Sequence, residues 1–336
     1  MCQGLAIAAG LYLCMPMAMG ADVPRVIFDT DMTGDCDDCG ALAVLHALAD
    51  RGEVEILGCV ASFGANPYVV GCIDAINTYY GRGDLPIGAE QGDFGRPDSR
   101  YAEAVAKDTA RYGHRRVRKE DVPDLVSVYR KLLAAQPDGS VTIVTVGRLK
   151  GLHDLLVSGP DEHSDLDGEA LVRQKVPRWV CMGGHFPNTE GKKEANFCAS
   201  GGADYTKAVV ERWPTQAWFS GFEIGWEIMT GPELLKQSDD NPVARAYRLF
   251  FEADGANPKP TARQSWDQTA VLLAVRGPEP WWDVVSRGST QVDEEGVNLW
   301  REMPDLDHAY IVRKTDVASV TAEISALMCR PPRRAR

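Results

Sequence analysis

Five aspartates stand within one ten-residue stretch near the start of the chain: Asp29, Asp31, Asp35, Asp37 and Asp38. Carboxylates that lie a few ångströms apart raise one another's pKa, and a divalent cation relieves that repulsion. Because every donor is an oxygen atom, the stretch favours a hard cation, Ca²⁺ or Mg²⁺. A solvated acidic turn is the alternative, but a helix N-cap uses one aspartate and five are present. We therefore predict a cation site here.

Two known loop types share part of this pattern. An EF-hand loop that begins at Asp29 fits at Asp31 and Gly34. However, Thr33 stands where a third acid is needed, and Gly40 stands where a bidentate glutamate closes the loop. We discard the EF-hand for that reason. The triplet Asp29, Asp31 and Thr33 also resembles the loop of haloacid-dehalogenase-like phosphatases, in which one aspartate attacks phosphorus, and this alternative stays open.

The elements that must position these residues alternate between strand and helix patterns. Helical spacing is present over 41–48, 67–80, 203–212 and 268–276. Short β-rich runs cover 26–28, 55–60, 141–146, 179–182 and 217–222. A β-rich segment over 281–313 precedes a last helix. This alternation predicts an α/β fold with an open, mainly parallel mixed sheet and helices on both faces.

Polar residues and glycines follow four of the predicted strands. Ligands of an open parallel sheet bind beyond the carboxyl ends of its strands, so these residues are candidates for one site. The acidic stretch follows the first strand, Asn66 the second and Gly147 the third. The strand at 179–182 is followed by Gly183, Gly184, His185, Asn188, Glu194 and Asn196.

The order of these landmarks resembles the inosine-uridine-preferring nucleoside hydrolase family. Phe28-Asp29-Thr30-Asp31, followed by Asp37-Asp38 before an Ala-Leu-rich helix, resembles the opening signature of that family. Further landmarks are the strand ending at Asn66, Val146-Gly147, Met182-Gly183-Gly184, Asn188, Glu194-Ala195-Asn196 and Trp266-Asp267. The match runs from about residue 25 to about residue 276, whereas the phosphatase pattern explains only its first ten residues.

The resemblance implies a nucleoside hydrolase-like domain that cleaves N-glycosidic bonds in nucleosides or related ribosyl compounds. It implies Ca²⁺ as cofactor, with a metal-activated water held by Asp31 as the base. The implied calcium ligands are Asp31, Asp37 or Asp38, the carbonyl of Val146, and Asp267. The implied contacts to sugar oxygens are Asn66, Asn188, Glu194 and Asn196. This agrees with the chemistry, since an oxocarbenium-like transition state needs a positioned nucleophile and negative charge nearby.

Three departures from the family pattern concern the site. An insert supplies Asp35, and Ala195 replaces an aromatic residue. Trp266 stands where many members carry a histidine that protonates the leaving group, and an indole N–H cannot deliver a proton usefully. His185 is then the nearest candidate acid, and Trp266 is expected to stack on a base or form an apolar wall. Glu223 also follows a strand and could reach the pocket. A calcium-dependent ribosyl binder without catalysis is a further alternative.

Composition and the chain ends complete the expectations. The 336 residues carry a net charge of −12, which argues against nucleic-acid binding and favours a small-molecule partner. Residues 1–20 have the apolar run and small-residue end of a signal peptide, so we expect a secreted or periplasmic protein without membrane attachment after cleavage. We expect a single domain over 21–329, a basic tail over 330–336 and, from the family, a possible homo-oligomer.

Overall fold

The structure is a computed structural model that describes residues 23–32, 34–62, 66–92, 100–199, 202–253, 255, 258–303 and 306–333. The predicted signal peptide, Thr33 and the last three residues of the predicted basic tail lie outside this range. None of the helices in these segments has the length and apolar character needed to cross a bilayer.

The described residues form a series of strands and helices along the chain. The strands are β1 (Arg25–Thr30), β2 (Glu55–Ala61), β3 (Ile87–Ala89), β4 (Val141–Thr145), β5 (Arg178–Met182), β6 (Gln216–Ser220), β7 (Met229–Thr230), β8 (Arg263–Gln264), β9 (Trp282–Val292), β10 (Asn298–Arg301) and β11 (His308–Arg313). The α-helices are α1 (Asp37–Asp50), α2 (Val69–Tyr79), α3 (Ala102–Lys107), α4 (Thr109–Tyr112), α5 (Leu125–Ala134), α6 (Lys150–Leu156), α7 (Gly168–Lys175), α8 (Ala195–Cys198), α9 (Gly202–Arg212), α10 (Phe222–Trp226), α11 (Pro242–Ala253), α12 (Trp266–Arg276) and α13 (Val317–Met328).

Nine strands join into one mixed sheet in the order β10-β9-β11-β6-β5-β4-β1-β2-β3. Neighbours from β3 through to β11 are parallel, whereas β9 and β10 pair in antiparallel fashion. The predicted fold class is therefore confirmed. The chain order reverses between β1 and β4, and such a reversal is where α/β sheets bind ligands.

Helices cover both faces of the sheet, and side chains that alternate along each buried strand pack against the helices of one face or the other. In β1, Val26 and Phe28 pack into one core with helices α1, α2, α12 and α13. Ile27, between them, packs into the opposite core with α5, α6 and α7. Each such apolar side chain contributes roughly 1.5–3 kcal/mol through burial, so this alternation fixes the β1 register and the direction in which its end points.

The C-terminal β-rich segment is confirmed, and its strands β9 to β11 extend the sheet beyond β6. The predicted strand over 217–222 is shorter in the structure. It ends at Ser220, and after Gly221 the chain turns into α10, which begins at Phe222. This turn brings α10 onto α12, and it changes what Glu223 faces.

Candidate functional site

A cavity of about 440 Å³ opens where the carboxyl ends of β1, β4 and β5 meet. We call it the acidic cavity. It is lined by Asp31, Asp35, Asp37, Asp38, Arg100, Val146, Arg148, Met182, Glu194, Asn196, Phe222, Arg263, Trp266 and Asp267, among others. The structure thus brings together every predicted cation ligand, the predicted base and three of the predicted substrate contacts. Asn66, Asn188 and His185 are not among the lining residues.

The carboxylates of the acidic cavity crowd one another. Oxygen atoms of Asp35, Asp37 and Asp38 lie within 4.8 Å of one another, at the start of α1. Asp267 enters from the first turn of α12, and its backbone N–H donates to Asp37 Oδ2 at 3.3 Å. Burial, reinforced by the neighbouring carboxylates, raises the pKa of Asp37, Asp38 and Asp267 well above the usual range. An oxygen-only cluster under this repulsion fits a divalent cation.

The turn between β1 and α1 fixes one of these carboxylates. Asp38 Oδ1 accepts a hydrogen bond from the Thr30 hydroxyl and another, of 3.0 Å, from the Met32 backbone N–H. Met32 is buried and has a φ of 42°, a left-handed conformation that costs a non-glycine residue roughly 1–2 kcal/mol. The Asp38 carboxylate therefore stabilises the strained turn, and the turn in return fixes the position of that carboxylate.

Asp29 lies beneath the acidic cavity and does not line it. Its carboxylate is fully buried and accepts hydrogen bonds from Ser62 Oγ and, at 2.5 Å, from the Tyr129 hydroxyl. Burial raises the pKa of Asp29 to about 7, although both hydrogen bonds act in the opposite direction. Asp29 is thus placed to support β1 and not to attack a substrate. The phosphatase alternative loses the nucleophile that it requires.

The ends of β4 and β5 are tied together at the wall opposite α1. Asn196 Nδ2 donates to the carbonyls of Val146 and Met182, at 3.2 Å in each case. A carbonyl oxygen has two lone pairs, so the Val146 carbonyl can accept this bond and still bind a cation. Gly147 lets this wall approach closely, because a Cβ there would lie 2.7 Å from the Asp31 backbone nitrogen.

Two of the predicted sugar contacts are engaged with their own loop. Glu194 is buried and accepts from the backbone N–H groups of Gly184, Asn196 and Phe197, at 2.9 to 3.2 Å. Asn188, at a φ of 56°, donates through Nδ2 to backbone carbonyls of Lys192 and Asn298. Its own Oδ1 accepts from the Lys192 N–H at 2.8 Å.

Asn66 plays a similar local part before helix α2. Its Oδ1 accepts from the Tyr68 backbone N–H at 3.0 Å, which forms a turn, and its side chain is fully buried. The role of Asn66 as a sugar contact stays a prediction.

An aromatic wall closes the acidic cavity beside Asp267. The indole N–H of Trp266 donates to the Phe222 carbonyl at 2.8 Å, and the two rings lie 5.1 Å apart between centroids. Because this N–H is engaged and cannot act as an acid, Trp266 forms part of the apolar wall that the sequence suggested.

Three arginines of the acidic cavity were missed by the sequence analysis. Arg263 pairs with Asp35 at 2.5 Å and lies over the Trp266 ring, 5.1 Å from its centroid. Arg100 and Arg148 line the same cavity. They partly offset the negative charge of the carboxylates. Arg263 lies three residues before Trp266 in the sequence, and this proximity to a predicted ligand was the available signal.

No family model matches the chain, and no curated protein sequence matches it. Solved structures do. A plant nucleoside hydrolase is similar with a TM-score of 0.62 and 18% identity over 92% of this chain and 100% of that one. An inosine-uridine preferring nucleoside hydrolase from Bacillus anthracis has a TM-score of 0.63 and 12% identity, covering 91% and 99%. The type III effector protein XopQ, complexed with adenosine diphosphate ribose, has a TM-score of 0.63 and 15% identity, covering 92% and 94%. The chain therefore has the nucleoside hydrolase fold.

Proposed function

We propose that this protein is a metal-dependent hydrolase of N-glycosidic bonds in nucleosides or related ribosyl compounds. The observation that carries the proposal is the cluster of buried carboxylates at the sheet reversal, open to a cavity that accommodates a sugar. Structural neighbours that are nucleoside hydrolases support the same reaction class, and XopQ was solved with a ribosyl ligand.

We infer Ca²⁺ as the cofactor. The residues that would hold it are Asp31, Asp37, Asp38, Asp267 and the Val146 carbonyl, with Asp35 close to the same oxygen cluster. Bound calcium would supply a Lewis acid that orients sugar hydroxyls and acidifies a water molecule. All candidate donors are oxygen atoms, and the crowding of the carboxylates is the electrostatic reason why a cation would be retained.

The chain's own residues supply the other requirements of the reaction. Asp31 is our candidate base, which accepts a proton from the attacking water. The buried carboxylates stabilise the positive charge that develops on the sugar ring as the C–N bond breaks. We assign a sugar contact to Asn196, whose amide bridges both strand ends and lines the acidic cavity. Trp266 and Phe222 exclude water from the opposite side.

Release of ribose from a panel of purine and pyrimidine nucleosides tests the proposal. We expect turnover with added Ca²⁺, loss of turnover with a chelator, and little activity in Asp31→Ala. The matched control is Asp84→Ala, which removes an exposed aspartate that pairs with Arg115. Absence of ribose release from every nucleoside would overturn the hydrolase proposal. Calcium-dependent ribose binding without turnover, measured by calorimetry, would identify the non-catalytic binder. Hydrolysis of a phosphomonoester with Mg²⁺ would instead support the phosphatase interpretation.

A further inference from the structure

A second cavity, of about 660 Å³, adjoins the acidic cavity. We call it the aromatic cavity. Phe222 lines both cavities, so its ring separates them. His185, Glu223, Trp226 and Val312 line the aromatic cavity further out. A substrate whose sugar occupied the acidic cavity would therefore extend its other half past Phe222.

The rings around Phe222 provide a surface for a flat aromatic group. Phe222 stacks on Trp226 at 5.2 Å between centroids, and the His185 ring lies 4.9 Å away on another side. Trp226 is 52% exposed, which is unusual for so large an apolar side chain. Exposed aromatic rings beside a polar pocket are typical of ligand sites that bind a planar ring by stacking.

Glu223 brings a carboxyl group to the same place. Its Oε2 accepts from the Phe186 backbone N–H at 3.3 Å and lies 3.8 Å from His185 Nδ1. Its Oε1 is buried and has no hydrogen-bond partner within the described part of the chain. A buried carboxyl oxygen without a partner is most costly when the group is ionised, so this environment favours the protonated carboxyl.

Space for this carboxyl group is built into the backbone. A Cβ at position 221 would lie 2.3 Å from Glu223 Oε1, so only glycine allows the carboxyl to fold back here. Gly221 has a φ of −72°, which any residue can adopt. The glycine therefore serves the placement of Glu223 and not the conformation of the chain.

We propose that the aromatic cavity binds the leaving group, a planar nitrogen heterocycle, and that Glu223 is the general acid that protonates it. This inference rests on the proposed hydrolase function. As the C–N bond breaks, its electron pair moves to the ring nitrogen, which takes the proton from Glu223. Water forms the new C–O bond and passes its proton to Asp31. Glu223 then regains a proton from solvent. Glu223 thus supplies the proton that Trp266 cannot.

The ionisation of the two neighbouring groups agrees with this assignment. Burial raises the pKa of Glu223 to about 7, so the carboxyl still holds a proton near neutral pH. Burial, with nearby Lys192, lowers the pKa of His185, which leaves that ring neutral under the same conditions. The other charged or titratable groups that face Glu223 are Lys192, Glu194, Glu227, Tyr310 and Arg313.

Two substrates with different leaving groups test the inference. Inosine has a heterocyclic leaving group that needs a proton, whereas p-nitrophenyl ribofuranoside releases a stable phenolate without one. We expect Glu223→Gln to lower kcat for inosine by about 100-fold and to change kcat for the nitrophenyl compound by less than about twofold. The wild-type rate on inosine should fall as pH rises above about 7, and the variant should lack this limb.

A control and a second variant separate chemistry from folding. Glu233→Gln changes an exposed carboxylate that pairs with Lys236, and should leave both rates unchanged. Gly221→Ala should displace Glu223 and reproduce the selective loss on inosine. Because the folded-state pKa of Glu223 is raised, wild-type stability due to this group is lost as pH rises from about 4.5 to about 7. Glu223→Gln should therefore melt at a higher temperature than wild type at about pH 8, and the difference should vanish at low pH.

The outcomes are distinguishable. If wild type hydrolyses neither substrate, the proposed function fails and the inference falls with it. If wild type hydrolyses both and Glu223→Gln slows both equally, or slows neither, the hydrolase remains and the acid assignment is overturned.

Discussion

Two polar regions meet at the acidic cavity and satisfy their side chains in opposite ways. In the first, the carboxylates of Asp37, Asp38 and Asp267 face one another in a buried space and repel. In the second, the loop from Gly183 to Asn196, a single carboxylate accepts three backbone N–H groups. We refer to them as the carboxylate cluster and the glycine loop.

The difference indicates where a ligand acts. In the glycine loop, Glu194 and Asn188 already form hydrogen bonds with backbone groups of the loop and of its neighbours Phe197 and Asn298. The carboxylates of the cluster repel one another, and Arg263, which pairs with Asp35, offsets only part of that repulsion. Stability should therefore reside in the loop and cation binding in the cluster. Four measurements test this division.

The largest effect is expected from Asp267→Asn. Removing a proposed ligand should lower turnover by about 100-fold or more, equivalent to about 3 kcal/mol of transition-state stabilisation. The metal-free variant should nevertheless melt no lower than wild type, because it loses a buried carboxyl group that its neighbours repel. Steady-state kinetics and thermal melts without metal measure both. A large drop in the metal-free melting temperature would place Asp267 in the scaffold instead.

Calcium itself should act next most strongly. A cation held at about 100 times its Kd stabilises the folded protein by about 2.7 kcal/mol, so the melting temperature should rise with Ca²⁺ and fall with chelator. Asp267→Asn should abolish the rise. An equal rise in that variant would locate the calcium elsewhere on the molecule.

Glu194→Gln should show the opposite pattern to Asp267→Asn. Burial raises the pKa of Glu194, so the loss of charge alone would not destabilise the protein. Glutamine, however, keeps only one acceptor oxygen, and its NH₂ group would face an N–H donor of Gly184, Asn196 or Phe197. We therefore expect a loss of about 2 kcal/mol in the free energy of unfolding. Denaturant titration measures it. Unchanged stability with a raised KM would show that Glu194 contacts the substrate after all.

The smallest effect concerns the left-handed backbone at Asn188. Both Asn188→Ala and Asn188→Gly lose the bonds to Lys192 and Asn298, but only alanine is strained at a φ of 56°. The alanine variant should therefore be less stable than the glycine variant by about 1 kcal/mol. Equal stabilities would mean that the loop relaxes and does not hold its shape through this residue.

The sequence predicted the central fold well because its strands are continuous β-branched or apolar runs between turn signals. Helices α5 and α11 were not predicted. The apolar residues of α11 nevertheless recur at helical spacing, at Val243, Ala246, Tyr247 and Phe250. Its prediction over 217–222 joined a strand to a helix, since both halves are apolar and only Gly221 marks the break.

The site was predicted where chemistry is concentrated in sequence. Five aspartates in one stretch, and an aspartate at the start of α12, are visible without a structure. The hydrogen bonds between Glu194 and backbone N–H groups cannot be seen in the sequence, because every residue except proline offers the same backbone N–H. Arg100 and Arg148 come from loops of unrelated pattern, and the second cavity exists only because α10 turns over the end of β6.

The hydrogen bond from Asp267 to Asp37 joins residues 230 positions apart. A chain is synthesised from its N-terminus, so α1 and its carboxylates are made long before α12 can dock beside them. A cation met at that stage would find only part of its ligand set. Metal would thus bind tightly only after nearly the whole domain has folded. A tightly bound ion would indicate that α12 has been synthesised and has packed beside α1. A chain truncated before that helix would lack Asp267 and would keep an incomplete ligand set.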